Sequence, residues 1–201
     1  MRISVTTAPA VEPVTLTEVK KHLRLATTTA EAAAYTSEDD LLNRLITVAR
    51  TQAEQETGRK FITQTMTYYL DAWPDETFIR LPYPTLQSAA VTYRLEDDTD
   101  YDESLSTVDT DIVSEPGRVV LQPNESWPSG TLYPDRPIKI VFVCGYGLAA
   151  DVPEGIKSAI LLKISDLYEN RGEVVLGVSV SKIADAVDSL LRSYRVHWEF
   201  D

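Results

Sequence analysis

IKIVFVCGYGLAADVPEGIKSAILLKISDLYENR, residues 138–171, runs from an apolar strand through a glycine turn into a long helix. Ile138, Ile140 and Phe142 alternate with Val141 and Val143, a pattern that predicts a strand covered on both faces. The strand ends at Gly145-Tyr146-Gly147. Asp151 has the chemistry of an N-cap, and Pro153 suits a first helical turn because its φ is preset and its missing amide proton costs nothing there. The spacing predicts a helix from about Val152 onward.

At roughly 100° per residue, Ile156, Ala159, Ile160, Ile164 and Leu167 form one stripe of that helix, with Leu161 and Tyr168 nearly opposite. Two apolar sides need two partners. One is the subunit's own core; the second is either another element of the same chain or a neighbouring copy, and periodicity alone equally fits a wholly internal helix. Lys163 inside the main stripe predicts that this stripe is only partly buried.

Upstream, Thr15-Leu16-Thr17-Glu18 has the form of a capping box, and Val19, Leu23 and Leu25 give a short helix one apolar edge. Residues 1–13, with Pro9 and Pro13, read as an extended arm, and the Ala/Thr-rich residues 26–36 as a loop. Ser37, followed by acids, opens a second helix, in which Leu41, Leu42, Leu45, Ile46, Val48, Ala49 and Ala53 cover the side expected to be buried and which is closed by Gly58. Beyond it come short Thr, Tyr, Val and Ile runs at 64–71, 77–81, 88–95, 106–113, 117–121 and 138–144, joined by connections short enough to predict antiparallel pairing. Residues 122–137 hold four prolines and are expected to be an ordered loop anchored by Trp127. Residues 172–180 fit either a hairpin or a loop. Ile183, Val187, Leu190, Leu191 and Tyr194 mark a last helix, and the aromatic tail after it needs a docking site.

The chain has 201 residues, of which 43% are hydrophobic and 25% charged, a globular composition with material for one substantial core. No tract is long enough to span a bilayer, and the N-terminal residues lack the apolar run of a secretory signal, which together predict a cytoplasmic site of synthesis. Cys144 is the single cysteine, which removes internal disulfides and thiolate cages; its place in the strand predicts a buried structural thiol. The net charge of -12 argues against gripping nucleic acid through its phosphates. Residues 96–115 hold nine acids and no Lys or Arg, and read as an exposed acidic loop that includes Asp97, Asp98, Asp100, Asp102 and Glu103.

Catalytic and metal signatures are weak. Asp98, Asp100 and Asp102 have calcium-loop spacing, but Glu103 stands where glycine is needed and Asp109 where glutamate is, so a solvated loop is the better reading and no metal or cofactor is expected. Gly145-x-Gly147 lacks the third glycine and the lysine of a phosphate-binding turn. No nucleophile elbow or HExxH occurs, and nothing singles out two carboxylates as a hydrolytic pair. Binding is favoured over catalysis.

An ordered set of local patterns carries a family resemblance. It comprises residues 16–24, Glu56-Thr57-Gly58-Arg59, Leu81-Pro82-x-Pro84-x-Leu86-Gln87-Ser88, Trp127-Pro128, Gly145-Tyr146-Gly147, Val152-Pro153-x-x-Ile156-Lys157, residues 167–173, and Leu190-Leu191-x-x-Tyr194-Arg195. In order and spacing the chain resembles the head-to-tail connector (adaptor, head completion) proteins of tailed bacteriophages. The resemblance implies an α+β chain: an arm at 1–13, a helical core from 14–60 and 148–201, and an antiparallel β-rich insertion at 61–147 between the second and third main helices. It further implies a non-enzymatic virion protein made in the host cytoplasm. Such a protein forms a closed, dodecameric ring beneath the portal protein, completes the DNA-filled head and meets tail-side neck proteins, and DNA passes through without sequence-specific binding. Leu191, Tyr194, Arg195, Trp198 and Phe200 are the expected portal-docking residues, and Leu161 and Tyr168 the expected subunit interface. The alternatives are another neck or tail component, such as a tail terminator, and a carboxylate- or metal-dependent hydrolase.

Overall fold

The computed structural model describes residues 2–97, 100–101, 103–170 and 179–196. In chain order these form β1 (Arg2–Thr7), α1 (Leu16–His22), α2 (Thr29–Ala34), α3 (Asp39–Thr57), β2 (Gln64–Leu70), β3 (Phe78–Arg80), β4 (Leu86–Tyr93), β5 (Glu103–Ser104), β6 (Val108–Asp111), β7 (Arg118–Leu121), β8 (Ile138–Cys144), α4 (Glu154–Glu169) and α5 (Ser179–Leu191). The fold is α+β with antiparallel sheets. Two compact units share the chain: Met1–Ala10 with Thr63–Tyr146, and Val11–Ile62 with Gly147–Asp201.

The first unit is all β. One sheet has the order β1-β2-β8-β4-β5 and a second the order β3-β7-β6. Alternation along β8 points Ile138, Ile140, Phe142 and Cys144 into the core, all fully buried. They meet Met66 and Tyr68 of β2, Val91 of β4, and Ile79, Leu81 and Val119 from the second sheet and its approach. Val141 and Val143 are only half-buried, so β8 has one dry face where a two-sided apolar run predicted two. Trp127 holds its proline-rich loop as expected: its ring stacks on Trp73 at 5.0 Å and its Nε1 donates to the Glu76 carbonyl at 2.8 Å.

Residues 2–7 are extended but are not a free arm. They pair with β2 from Arg2↔Tyr69 to Thr7↔Thr65. Pro9 lies beyond the strand and leaves its ladder intact. The acidic segment also differs from a plain loop, because its described part carries β5 and β6. There Asp111 pairs with Arg118 of β7 at 2.7 Å, which turns one of the dense like charges into a cross-strand contact.

The second unit is helical. Thr15 and Thr28 each form a full capping box, with Glu18 and Glu31. Residues 29–34, expected as loop, are therefore helix α2, for the same reason that α1 was legible. Gly58, with φ 68°, closes α3 in the left-handed conformation. Pro13, placed in the arm by sequence, is buried, as is Val14 after it, and Glu12 is held by Arg50 of α3 at 2.6 Å.

The long helix begins at Glu154 and not near Val152. The residue before a proline is pushed out of the helical region, and Val152 is extended at φ -73°, ψ 127°. Asp151 caps a preceding short 3-10 turn instead, where its carboxylate accepts from the Leu148 amide at 2.8 Å. Gly147, with φ 137°, makes room for that carboxylate, which a Cβ there would strike. Along α4, Ile156, Ala159, Ile160 and Ile164 are fully buried while Leu167 is half-buried, and the helix packs on α3 and α5.

Candidate functional site

Among the described residues, no group of three or more His, Cys, Asp or Glu side chains could hold a metal ion. Cys144 is fully buried, while His22 sits exposed in the last turn of α1. No described helix is long and apolar enough to cross a membrane. Surfaces, ion pairs and the ends of helices are what remain as functional features.

Leu161 and Tyr168, the expected subunit interface, are both half-buried on α4. Tyr168 already has a partner within the chain, since its hydroxyl donates to Glu38 Oε2 at 2.6 Å, and Tyr35 donates to the same oxygen at 2.8 Å. The second apolar side of α4 is thus partly occupied by the loop that leads into α3. Lys163, the odd cation in the stripe, pairs with Glu56 of α3 at 3.2 Å.

The expected portal-docking residues divide into two groups. Leu191 is fully buried and Tyr194 packs against Gly155, where a Cβ would come within 2.9 Å of its hydroxyl. Arg195 reaches Asp188 at 2.6 Å and Glu56 at 3.1 Å, and Arg192 reaches Asp188 at 3.0 Å. Hydrogen bonds from Arg192 and Arg195 hold the Asp188 carboxyl below its usual range. The Val196 amide donates to the Thr57 carbonyl at 2.9 Å. Leu191, Tyr194 and Arg195 therefore make contacts within their own helical unit, Leu191 fully buried and the other two half-buried; a stripe of Leu and Tyr at helical spacing reads alike whether its partner is internal or external. Trp198 and Phe200 lie outside the described residues.

Of the acidic group, Asp97, Asp100 and Glu103 are exposed, and Asp98 and Asp102 lie outside the described residues. Asp111, farther along, is held well below the usual carboxylate range by Ser114 and Arg118.

Sequence reading missed the buried charges. Lys20 is 2% exposed, donates to the carbonyls of Ala32 at 2.8 Å and of Tyr35, and lies 2.6 Å from Asp39 as a charge contact outside hydrogen-bonding angles. Glu54, also buried, takes Lys60 at 3.0 Å, Arg50 at 3.3 Å and the Phe61 amide at 3.1 Å. The i,i+4 spacing of Arg50 and Glu54 was the one available signal, though it marks exposed pairs just as well.

The family model for phage gp6-like head-tail connector proteins matches residues 13–100. The match spans α1 to α3 and continues into the first strands of the β unit, and the family is one of structural connectors, not of enzymes. No curated protein matches the sequence. Among solved structures, a chain from the neck of an empty gene transfer agent particle, computed with C6 symmetry, superposes with a TM-score of 0.80 at 19% identity, covering 100% of this chain and 98% of that one. A chain from the virion of the native gene transfer agent particle gives 0.77 at 19% identity, and one from the native neck, computed with C12 symmetry, 0.73 at 17%; both have the same coverage. At these identities the likeness is one of fold, and it extends over both units.

Proposed function

We propose that this chain is a structural virion protein of a phage-type neck, where copies close into a ring that completes the DNA-filled head and joins it to the tail. The observation that carries this reading is the full-length fold match to neck chains, joined to a connector-family match over residues 13–100. A ring of twelve copies is consistent with the C12 symmetry in which the native gene transfer agent neck was computed. The net charge of -12 fits a channel through which DNA must slide without its phosphates being held.

The partners of such a ring are the portal protein on the head side and a stopper or tail terminator on the tail side. With Leu191 fully buried in its own unit, the portal-docking role of the C-terminal segment is proposed for Tyr194, Arg195, Trp198 and Phe200. Electron microscopy of the purified protein, alone and mixed with its portal protein, tests the reading. Closed rings seated on portal are expected; a chain that stays monomeric and unbound in both samples overturns it.

A further inference from the structure

The chain holds 31 acidic residues, yet strands β1, β2, β8 and β4 contain none. β8 turns Ile138, Ile140 and Phe142 to the core, so Lys139, Val141 and Val143 point the other way. Residues paired directly across antiparallel strands share a face, which sets Arg2, Tyr69, Lys139 and Thr92 in one outward row. The next row is Ser4, Thr67, Val141 and Ala90, all small or uncharged. Glu103 of β5 pairs with Tyr93, which lies level with Ile138, and so belongs to the opposite face.

Cations gather at one end of the outward face. Lys139 and Arg94 lie over the Tyr101 ring at 5.2 and 5.0 Å, Arg94 also over Tyr133 at 3.7 Å, and Arg136 over Tyr69 at 5.7 Å. Tyr101 is fixed in turn: its hydroxyl donates to the Arg136 carbonyl at 2.6 Å and its ring lies 6.3 Å from that of Tyr69. The acid among them is Asp135. It pairs with Arg136 at 2.8 Å, and that contact, with the charges of Arg2 and Arg94 adding, holds its carboxyl below the usual range. Asp100, exposed, accepts from the Tyr101 amide at 2.8 Å. Arg2, Arg94 and Lys139 have no carboxylate partner among the described residues, though the chain as a whole carries a net charge of -12.

A polyanion is the ligand that an acid-free face with unneutralised cations fits. The tyrosines narrow the mode of contact, because each ring already holds a cation of the same chain on its face and is not offered to stacked bases. What points outward are guanidinium and ammonium groups with Ser and Thr hydroxyls. These donors meet phosphate oxygens without reading sequence, and contacts of that kind let protein and DNA slide past one another.

We infer that the outward face of β1, β2, β8 and β4 is the surface this protein turns toward duplex DNA, with Arg2, Arg94 and Lys139 meeting phosphates. This rests on the neck reading above, in which packaged duplex is the polyanion at hand, and it names the face that borders the DNA path. The negative charge elsewhere keeps the duplex from adhering away from that face.

The test measures anisotropy of fluorescein-labelled duplexes of two unrelated sequences, with the free chain and with portal-bound rings. Both duplexes should bind alike and lose affinity steeply with salt. Arg2→Gln with Lys139→Gln should weaken binding at low salt on the order of tenfold or more, and make the log-log salt slope shallower by about two. Should that pair lower the thermal midpoint, Arg2→Gln alone, at an exposed position, should still reduce the slope by about one. Lys21→Gln with Arg24→Gln, an equal change of charge at exposed positions of the helical unit, should leave binding as it is. Equal weakening by both pairs would assign the effect to overall charge and overturn the inference. Displacement of the duplex by poly-glutamate at equal charge would make the patch a site for acidic polypeptide, which also overturns it. Rings that form yet bind no duplex at low salt overturn the inference and leave the neck reading standing; failure to form rings under any condition overturns that reading, and the free-chain measurement then decides the face.

Discussion

Arg59, one residue past the Gly58 cap, donates from Nε to the main-chain carbonyl of Tyr194 across 2.6 Å. With the Val196 amide on Thr57, this bond fastens the turn after α5 to the end of α3. The guanidinium is buried, so the contact is poorly screened by solvent.

Replacing Arg59 with Met keeps much of the stem and removes the donor. Hydrogen bonds from charged groups contribute about 1.5–3 kcal/mol, so urea unfolding should show a loss of that size. An unchanged midpoint would mean that the turn after α5 adds nothing to the stability of the helical unit.

Leu191→Ala separates core from docking roles. A fully buried leucine cut to alanine costs about 2–5 kcal/mol, lowering the thermal midpoint by several degrees in a chain of this size. Portal binding measured well below that midpoint should persist, because Leu191 is not at the surface. Loss of portal binding with an unchanged midpoint would return Leu191 to the interface.

Lys20→Ala should be among the most damaging single changes in the helical unit. It strips Asp39 of its cation and leaves the carbonyls of Ala32 and Tyr35 without their donor, in a place where Lys20 is nearly inaccessible. Breaking one side of a buried pair costs about 3–5 kcal/mol. Lys20→Met, which fills the space without the charge, should recover part of this loss; equal damage from both variants would assign the effect to charge alone.

Asp111 supplies a pH signature in the β6–β7 hairpin. Its folded pKa lies below its unfolded one, so its contribution is fully present above the ordinary aspartate value of about 4 and is lost as pH falls through the folded pKa. Wild type should therefore exceed Asp111→Asn in stability by a constant margin from neutral pH down to about pH 4, with the margin shrinking only in stronger acid. A margin that already shrinks near pH 6 would show that another group carries the effect.

Much of this protein is local. Capping boxes, the Gly58 terminator and the alternation along β8 act over a few residues, so Thr15, Leu42, Ile140 and Ile160 could be placed from sequence, as could six of the eight strands. The same locality made α2 available, since Thr28 and Glu31 repeat the signal of Thr15 and Glu18, but the Ala/Thr composition masked it. The resemblance to connectors arose in the same way, from an ordered set of caps and turns that no single motif carried.

Other features belong to tertiary structure because they depend on what comes near from far along the chain. Strand β1 pairs with residues some sixty positions away, and no alternation in its sequence announces a partner. Lys20 and Glu54 look like surface charges until Asp39, Lys60 and several backbone groups gather around them. Leu191 and Tyr194 have the residue types of a docking site, and only packing decided that they face α4 and their own core. Periodicity says that a face is apolar; which surface covers it is set by chain topology, and the desolvation that makes a charge structural exists only once that topology has closed.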